Sequence, residues 1–489
     1  MTVDLGVPLL PELALFALAV LVLIMGLVQQ GDPRRRIGWV TLAGLCVILG
    51  LTFAADEGGS LFGGTFVQDA LALFAKRLVL SAAVLSVLGS LTLGHPSFSR
   101  RSAEYHFALL VSLVGMFVLV SARELVLLFV AFELMSIPLY VMTGFLKRDA
   151  VAPEAALKFF LVGTVSAAVI LYGISFVYGI SGSTSLDQIA QAFGTGGTGH
   201  PLLMVGMALV LAGLGFKIAA FPFHMWAPDA YEAASAPFVA WLSVAPKAAG
   251  FIALIRLFVE GMGNAAPVWM PIFVALAGTT IVAGNLMAIP QQNIKRLLAY
   301  SGVAHIGYML IGLAALSSAG VSALLFYLVA YLFGNMGAFM VVEVVARSEQ
   351  SDGIDAYRGL ARRSPLLALA MLIFLLSLGG IPFVAGFWAK LYIFLAAAER
   401  GMYGLVFLGA VLTVVALYYY LLVARRMYID APDRDDPVPV SGLLATAIGV
   451  CALGVVGIGV YPGPWVVMAQ RVAAALSAPS FSEAMRWSF

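Results

Sequence analysis

The sequence predicts an all-α polytopic membrane protein of about fourteen transmembrane helices, organised as two inverted five-helix repeats that each contain one broken helix. Three observations carry that reading. Of the 489 residues, 62% are hydrophobic and 11% charged, where soluble domains carry roughly a quarter charged and under half apolar. Apolar runs long enough to cross a hydrocarbon core, about 17 to 25 residues, follow one another almost without interruption. The basic residues between them concentrate in alternate loops.

The runs fall near 10–29, 37–55, 71–94, 105–121, 124–146, 155–179, 201–221, 236–259, 266–289, 293–315, 320–346, 364–397, 402–427 and 440–461, within a single membrane domain spanning 1–489. Run 71–94 carries Lys76 and Arg77 in its first half, but loop charges alternate correctly only if it spans. The apolar stretch Leu13 to Val28 of run 10–29 follows Asp4 and Glu12 and no basic residue, so it is expected to stay as the first membrane helix instead of being cleaved as a signal. Cys46 and Cys451 each lie in an apolar run without metal-ligand spacing and read as small core residues.

Arg34, Arg35, Arg36, Arg100, Arg101, Lys147, Arg148, Lys295, Arg296, Arg347, Arg358, Arg362, Arg363, Arg425, Arg426 and Arg434 occupy alternate loops, which therefore face the cytoplasm. The opposite loops hold chiefly Arg123, Arg400, Arg471 and Arg486. An even helix count then puts both termini outside. Segment 227–235 departs from the rule, with Asp229 and Glu232 and no Lys or Arg, and is a candidate for a functional role. A net charge of +2 with no basic cluster makes nucleic acid an unexpected partner; the lipid bilayer is the expected surroundings.

Two runs are interrupted alike. In 211–231, Pro222 removes a backbone donor and crowds the carbonyl of Ile218, and Pro228 repeats this a turn and a half later; in 376–390, Gly379 and Gly380 precede Pro382. Each break lies in the fourth helix of a five-helix set, 105–259 and 266–427, and an odd number of helices per unit inverts the second.

Ionisable residues stand deep in these runs. Glu133, Lys217, Lys247 and Lys390 each cost roughly 2.5–3.5 kcal/mol at a helix centre, and each has a proline nearby: Pro138, Pro222, Pro246 and Pro382. A helix break near each charge is expected to supply free carbonyls and room for water. A static Glu133–Lys217 pair is the alternative, but one carboxylate does not serve three lysines. Glu154 and Lys158 have the i, i+4 spacing of a local pair, and Lys158 is also a candidate site member. Ser301, His305 and Tyr308 share one helix face, as do Tyr327, Tyr331 and Asn335. His305 is a candidate relay member or a merely hydrogen-bonded side chain; His224 serves either proton entry or as a solvated or capping group. With no nucleotide, nucleophile-elbow or zinc motif, the chain is expected to bind no nucleotide, flavin or metal. It offers protonatable groups across the midplane.

The segments ELVLLFVAFELMSIPLYVMTGF, GFKIAAFPFHMWAPDAYEAASAPFVAWLSVAPKAAG, NIKRLLAYSGVAHIGYMLIG and GGIPFVAGFWAK resemble the antiporter-like subunits of respiratory complex I, over at least the fifth to twelfth helices. Within that family the chain is most similar to the subunit N type, given the APKAAG lysine, Lys390 after the second break and no long C-terminal extension. The resemblance implies a multi-pass subunit of the bacterial plasma (inner) membrane, packed among other membrane-arm subunits. It implies that Glu133, Lys217, Lys247 and Lys390 match the family's fifth-, seventh-, eighth- and twelfth-helix charges. The complex as a whole uses NADH, FMN, iron–sulfur clusters and quinone, none held by this chain. One departure is that run 320–346 lacks the central lysine of subunits L and M, a place that His305 is positioned to fill.

The resemblance further implies that quinone reduction elsewhere drives proton pumping here. At an effective dielectric of 20, moving Glu133 from about 5 to about 10 Å from Lys217 weakens their attraction by roughly 1.7 kcal/mol, so a small displacement is enough to load or release a proton. The alternatives are a subunit of an Mrp-type cation/proton antiporter, the membrane subunit of a formate- or hydrogen-linked complex, and a non-pumping scaffold.

Overall fold

The computed structural model describes residues 8–28, 34–93, 98, 100–146, 151–194 and 201–476. Lys147, Arg148, Arg486 and both chain ends, on which part of the topology reading rests, lie outside the described residues. Thirteen described helices are long and apolar enough to cross a membrane. They are α1 (Leu10–Val28), α2 (Arg34–Ala54), α3 (Ala70–Ser90), α4 (Ser102–Ser121), α5 (Leu125–Thr143), α6 (Val151–Ser181), α8 (Pro201–Ile218), α10 (Ala236–Leu254), α11 (Ala266–Ala288), α12 (Ile294–Ala314), α13 (Ser318–Glu349), α17 (Tyr403–Tyr428) and α18 (Gly442–Val460). The run predicted at 364–397 is two shorter helices, α15 (Pro365–Gly379) and α16 (Ala385–Glu399). The short helices α7 (Leu186–Gly194), α9 (Trp226–Ala233), α14 (Leu360–Arg363) and α19 (Gly463–Ala475) complete the helical set, and a hairpin of β1 (Gly59–Leu61) with β2 (Phe66–Gln68) precedes α3.

Helix α3 forms in spite of Lys76 because the ammonium is neutralised: it lies 2.5 Å from Glu12 of α1 and donates to Gln68 at 3.2 Å. Asp69 caps the same helix, accepting from the amide of Ala72 at 2.9 Å, which satisfies one of the donors every helix start leaves open.

Three helices make the core. The most apolar stretches of α10, α12 and α13 are 94–100% buried within the chain, against 33–39% for α1, α2, α6, α17 and α18. Helix α10 packs on α3 and α13, and α13 packs in turn on α12, α16 and α18. A charge on α10, α12 or α13 is therefore shielded from lipid by the other helices. Cys451 is buried as expected, but Cys46 is exposed. That corrects the reading of Cys46 as a core residue: α2 is peripheral, and an apolar run reads the same on its outward side as on its inward one.

Both predicted breaks are present, and their ends are satisfied differently. Helix α8 stops at Ile218; Ala219 turns into the left-handed region at φ 63°, and the carbonyl of Phe216 accepts from the Ala219 amide at 3.0 Å and from the Trp226 indole at 2.8 Å. Helix α15 ends on Gly380 at φ 83°, a conformation that glycine takes without penalty. Pro138 and Pro246, by contrast, sit inside the continuous helices α5 and α10. The expectation of a break beside every charge thus holds at two prolines and fails at two, because a proline deletes one intrahelical bond and the remaining bonds on either side carry the helix through.

Candidate functional site

The candidate site is built from Lys217 at the end of α8, Lys247 in mid-α10, His305 in mid-α12 and Lys390 in α16, all 1–4% exposed. Lys217 does not form an ion pair with Glu133. Its ammonium donates to the hydroxyl of Ser136 at 2.8 Å, one turn along α5 from Glu133, and lies 5.4–6.0 Å from the ring centres of Phe132, Tyr140 and Phe159. Glu133 is half-buried, and among the described residues its Oε1 has no hydrogen-bond partner. Its helix neighbours Val130, Leu134 and Ile137 are exposed, so the carboxylate stands at the flank of the bundle.

Aromatic rings fill the space between Lys217 and Lys247. Phe159, beside Lys217, stacks on Trp226 at 4.1 Å; Trp226 meets Tyr231 edge-on at 6.3 Å; and the ammonium of Lys247 lies 5.5 Å from the Tyr231 ring centre. The Lys247 ammonium and the hydroxyls of Tyr231 and Tyr331 are buried with no hydrogen-bond partner among the described residues. Near them, Asn335 donates to Ser243, one turn before Lys247, at 2.6 Å. What lets Lys247 approach α12 is Gly302: a Cβ there would stand 3.2 Å from the ammonium and 3.0 Å from the Tyr331 hydroxyl.

One turn further along α12, His305 is held at both ring nitrogens, Nδ1 2.7 Å from the Tyr327 hydroxyl and Nε2 3.3 Å from that of Tyr420, which also bonds Ser301. The next turn brings Tyr308, whose ring centre lies 4.9 Å from the Lys390 ammonium. Lys390 donates to the carbonyls of Leu378 and Gly379 at 3.0 and 3.1 Å, the last carbonyls of α15. A broken helix thus supplies the ligands for a buried ammonium, and the negative end of its dipole supplies the field. Gly302, His305 and Tyr308 therefore present Lys247, an imidazole and Lys390 in sequence over six residues, about 9 Å of helix rise.

The remaining candidates sit apart from this file. Lys158 is an exposed side chain that pairs with Glu154 at 2.8 Å and with Asp229 at 3.3 Å. Arg296 joins Asp229 at 2.9 Å and Glu232 at 2.7 Å. The acidic segment 227–235 that broke the loop-charge pattern is thus neutralised by cations of α6 and α12. His224 lies in the first break with 4% exposure, against Phe221, Tyr300 and the sulfur of Met287, so it is not the solvated group that one reading allowed.

Sequence reasoning missed three members of the site and one structural cation outside it. Ser136 was legible as the residue one turn from Glu133. Gly302 and Tyr420 carried no signal, a glycine and a tyrosine among many. Arg256, inside run 236–259 with Glu260 four residues on, was visible as a charge pair. It is 0% exposed in a π-helical turn (Ile255–Gly261) and grips Asp69 through both terminal nitrogens at 2.6 and 2.7 Å, Glu260 at 2.7 Å and the carbonyl of Val120.

A bundle with two broken helices, each holding a buried lysine beside the break, defines a membrane protein of the antiporter-like class. The family described as NADH:quinone oxidoreductase/Mrp antiporter, transmembrane, matches residues 122–416. The chain belongs to that family, and within it to the subunit N branch of bacterial respiratory complex I. NADH-quinone oxidoreductase subunit N of Moorella thermoacetica is 43% identical over 454 residues, 93% of this chain and 95% of that one. A chain of respiratory complex I from Thermus thermophilus superposes with a TM-score of 0.80 at 34% identity, covering 94% of this chain and 99% of that one. A chain of the Mrp complex from Dietzia sp. DQ12-45-1b reaches 0.86 at 20% identity over 99% of each chain, which speaks to the fold alone.

Proposed function

We propose that the chain translocates protons as a membrane-arm subunit of a bacterial NADH:quinone oxidoreductase, driven by quinone reduction in other subunits that hold the flavin, the iron–sulfur clusters and the quinone. In this reading the chain is a multi-pass protein of the plasma membrane with both termini outside, and its two five-helix units, 105–259 and 266–427, have opposite topology. The observation that carries the reading is the file Lys217, Lys247, His305, Lys390, four buried basic groups on the well-shielded helices α10 and α12 and beside the two breaks. A static structural role would leave each such group paired with a carboxylate, whereas none of the four is in an ion pair among the described residues.

Lys217 receives a proton and exchanges it with the Lys247 region along the Phe159–Trp226–Tyr231 wall. Water is the natural partner of the unpaired ammonium and hydroxyls there, since buried polar groups without protein partners take ordered water. His305 passes the proton between Lys247 and Lys390, its two nitrogens held by Tyr327 and Tyr420 so that one can accept as the other donates. Glu133, at the flank, sets the affinity of Lys217 through its distance. Lys247→Met, which keeps length and removes charge, tests the proposal: in vesicles bearing the assembled complex, NADH-driven proton uptake is expected to fall about tenfold or more, the range in which removal of one proton-transfer group acts. Normal uptake at normal yield would refute it.

A further inference from the structure

A cavity of about 320 Å³ opens at the end of the bundle that loop charge marks as outer, between the start of α13, the end of α16 and α19. Its lining is graded by depth. Ser318 and Glu399 stand where their helices begin and end, Gln470 lies in the middle of the short α19, and Ser322 is one turn in from Ser318; Tyr392, Leu395 and Phe326 lie deeper. From Ser318 to Phe326 is eight residues, about 12 Å of helix rise, which is the passage from headgroup level into hydrocarbon. Ser322 is 7% exposed and faces the cavity. Among the described residues no protein group bonds its hydroxyl, the Glu399 carboxylate or the Gln470 amide. The lining holds one carboxylate and no cation, while Arg400 and Arg471 follow Glu399 and Gln470 directly in sequence.

We propose that this cavity binds one outer-leaflet phospholipid with a zwitterionic, primary-amine headgroup, of the phosphatidylethanolamine class. The ammonium donates to Glu399 and to the carbonyls and hydroxyls of Gln470 and Ser322, a set that a quaternary ammonium cannot satisfy because it has no N–H. The phosphodiester lies toward the flanking arginines, and one acyl chain runs down past Leu395 and Phe326. A free amine or a soluble cation would use the mouth and leave the apolar depth unfilled; an anionic lipid would set its phosphate against the carboxylate. The site is far in sequence from Lys217 and Lys247 and does not depend on the pumping assignment.

The test uses the assembled complex in vesicles containing a trace phospholipid with a photoreactive group on its acyl chain, carried on ethanolamine, choline or glycerol headgroups in separate samples. Labelling is expected on peptides 318–326, 392–399 and 466–470, about threefold stronger from the ethanolamine lipid than from the other two, the scale of one interfacial charge pair. Glu399→Gln should remove that preference while leaving labelling in place. Ala319→Trp, at an exposed lining position, should plug the mouth and abolish labelling by all three. NADH:quinone activity of both variants reports intact assembly. Equal labelling by the three headgroups in the unaltered complex, a preference that survives Glu399→Gln, or crosslinks from these peptides to a neighbouring subunit in place of lipid would each overturn the proposal.

Discussion

Lys217 donates its hydrogen bond to Ser136 and not to Glu133, although serine and glutamate lie one turn apart on the same helix. The ammonium is therefore poised beside the carboxylate without being locked to it, and a neutral hydroxyl holds it without fixing its charge.

From this geometry Lys217→Met should reduce NADH-driven proton pumping about tenfold or more with the complex assembled, and in a tightly coupled machine should slow quinone reduction as well. Ser136→Ala removes only the hydroxyl and should cost about three- to tenfold, the weight of one ordinary hydrogen bond. Proton uptake by vesicles measures both. Wild-type pumping by Lys217→Met would remove that residue from the mechanism.

Glu133 and Arg256 should separate function from assembly. Glu133→Ala leaves no buried partner stranded, so pumping should fall more than complex yield. Arg256→Met strands Asp69 and Glu260 in a largely buried site, a loss of about 3–5 kcal/mol, so yield should collapse first. Yield after membrane extraction, measured beside turnover per assembled complex, decides; the opposite ordering in the two variants would exchange their roles.

Gly302→Ala places a methyl group 3.2 Å from the Lys247 ammonium. Overpacking of this kind costs roughly 1–3 kcal/mol, and the far end of the lysine is what can yield. Proton transfer should slow while the complex still assembles, and Gly302→Ser should do no better. Unchanged pumping would mean that Lys247 has room to work elsewhere.

At the second break, Gly380→Ala should exceed Pro382→Ala in effect. The glycine adopts φ 83°, and a Cβ there would lie 2.9 Å from the Lys390 side chain, so alanine is strained by about 1–2 kcal/mol and pushes the lysine off the carbonyls of Leu378 and Gly379. Pro382→Ala leaves that glycine turn in place and should slow turnover mildly. Relative turnover of the two purified complexes tests the ordering.

Helix positions and the breaks were legible because both are written in local chemistry: an apolar run of bilayer length, and glycine or proline interrupting it. The lysines were legible because a charge in such a run is costly wherever it points. What could not be read was which partner each charge meets. That Lys217 takes Ser136, that Lys390 takes the α15 carbonyls, and that Tyr420 joins His305 from 115 residues away are facts of helix packing, and in a uniformly apolar sequence no periodicity tells the inward side of a helix from the lipid side. The same blindness put Cys46 in the core.

The two cysteines point in opposite directions, Cys46 outward from α2 and Cys451 into the bundle, and the chain has no others. It therefore carries a built-in reporter on one edge. A lipid-soluble thiol reagent will find a single reactive position in this chain, and its reaction rate before and after assembly will tell whether that edge borders lipid or a neighbour, without a single residue being changed.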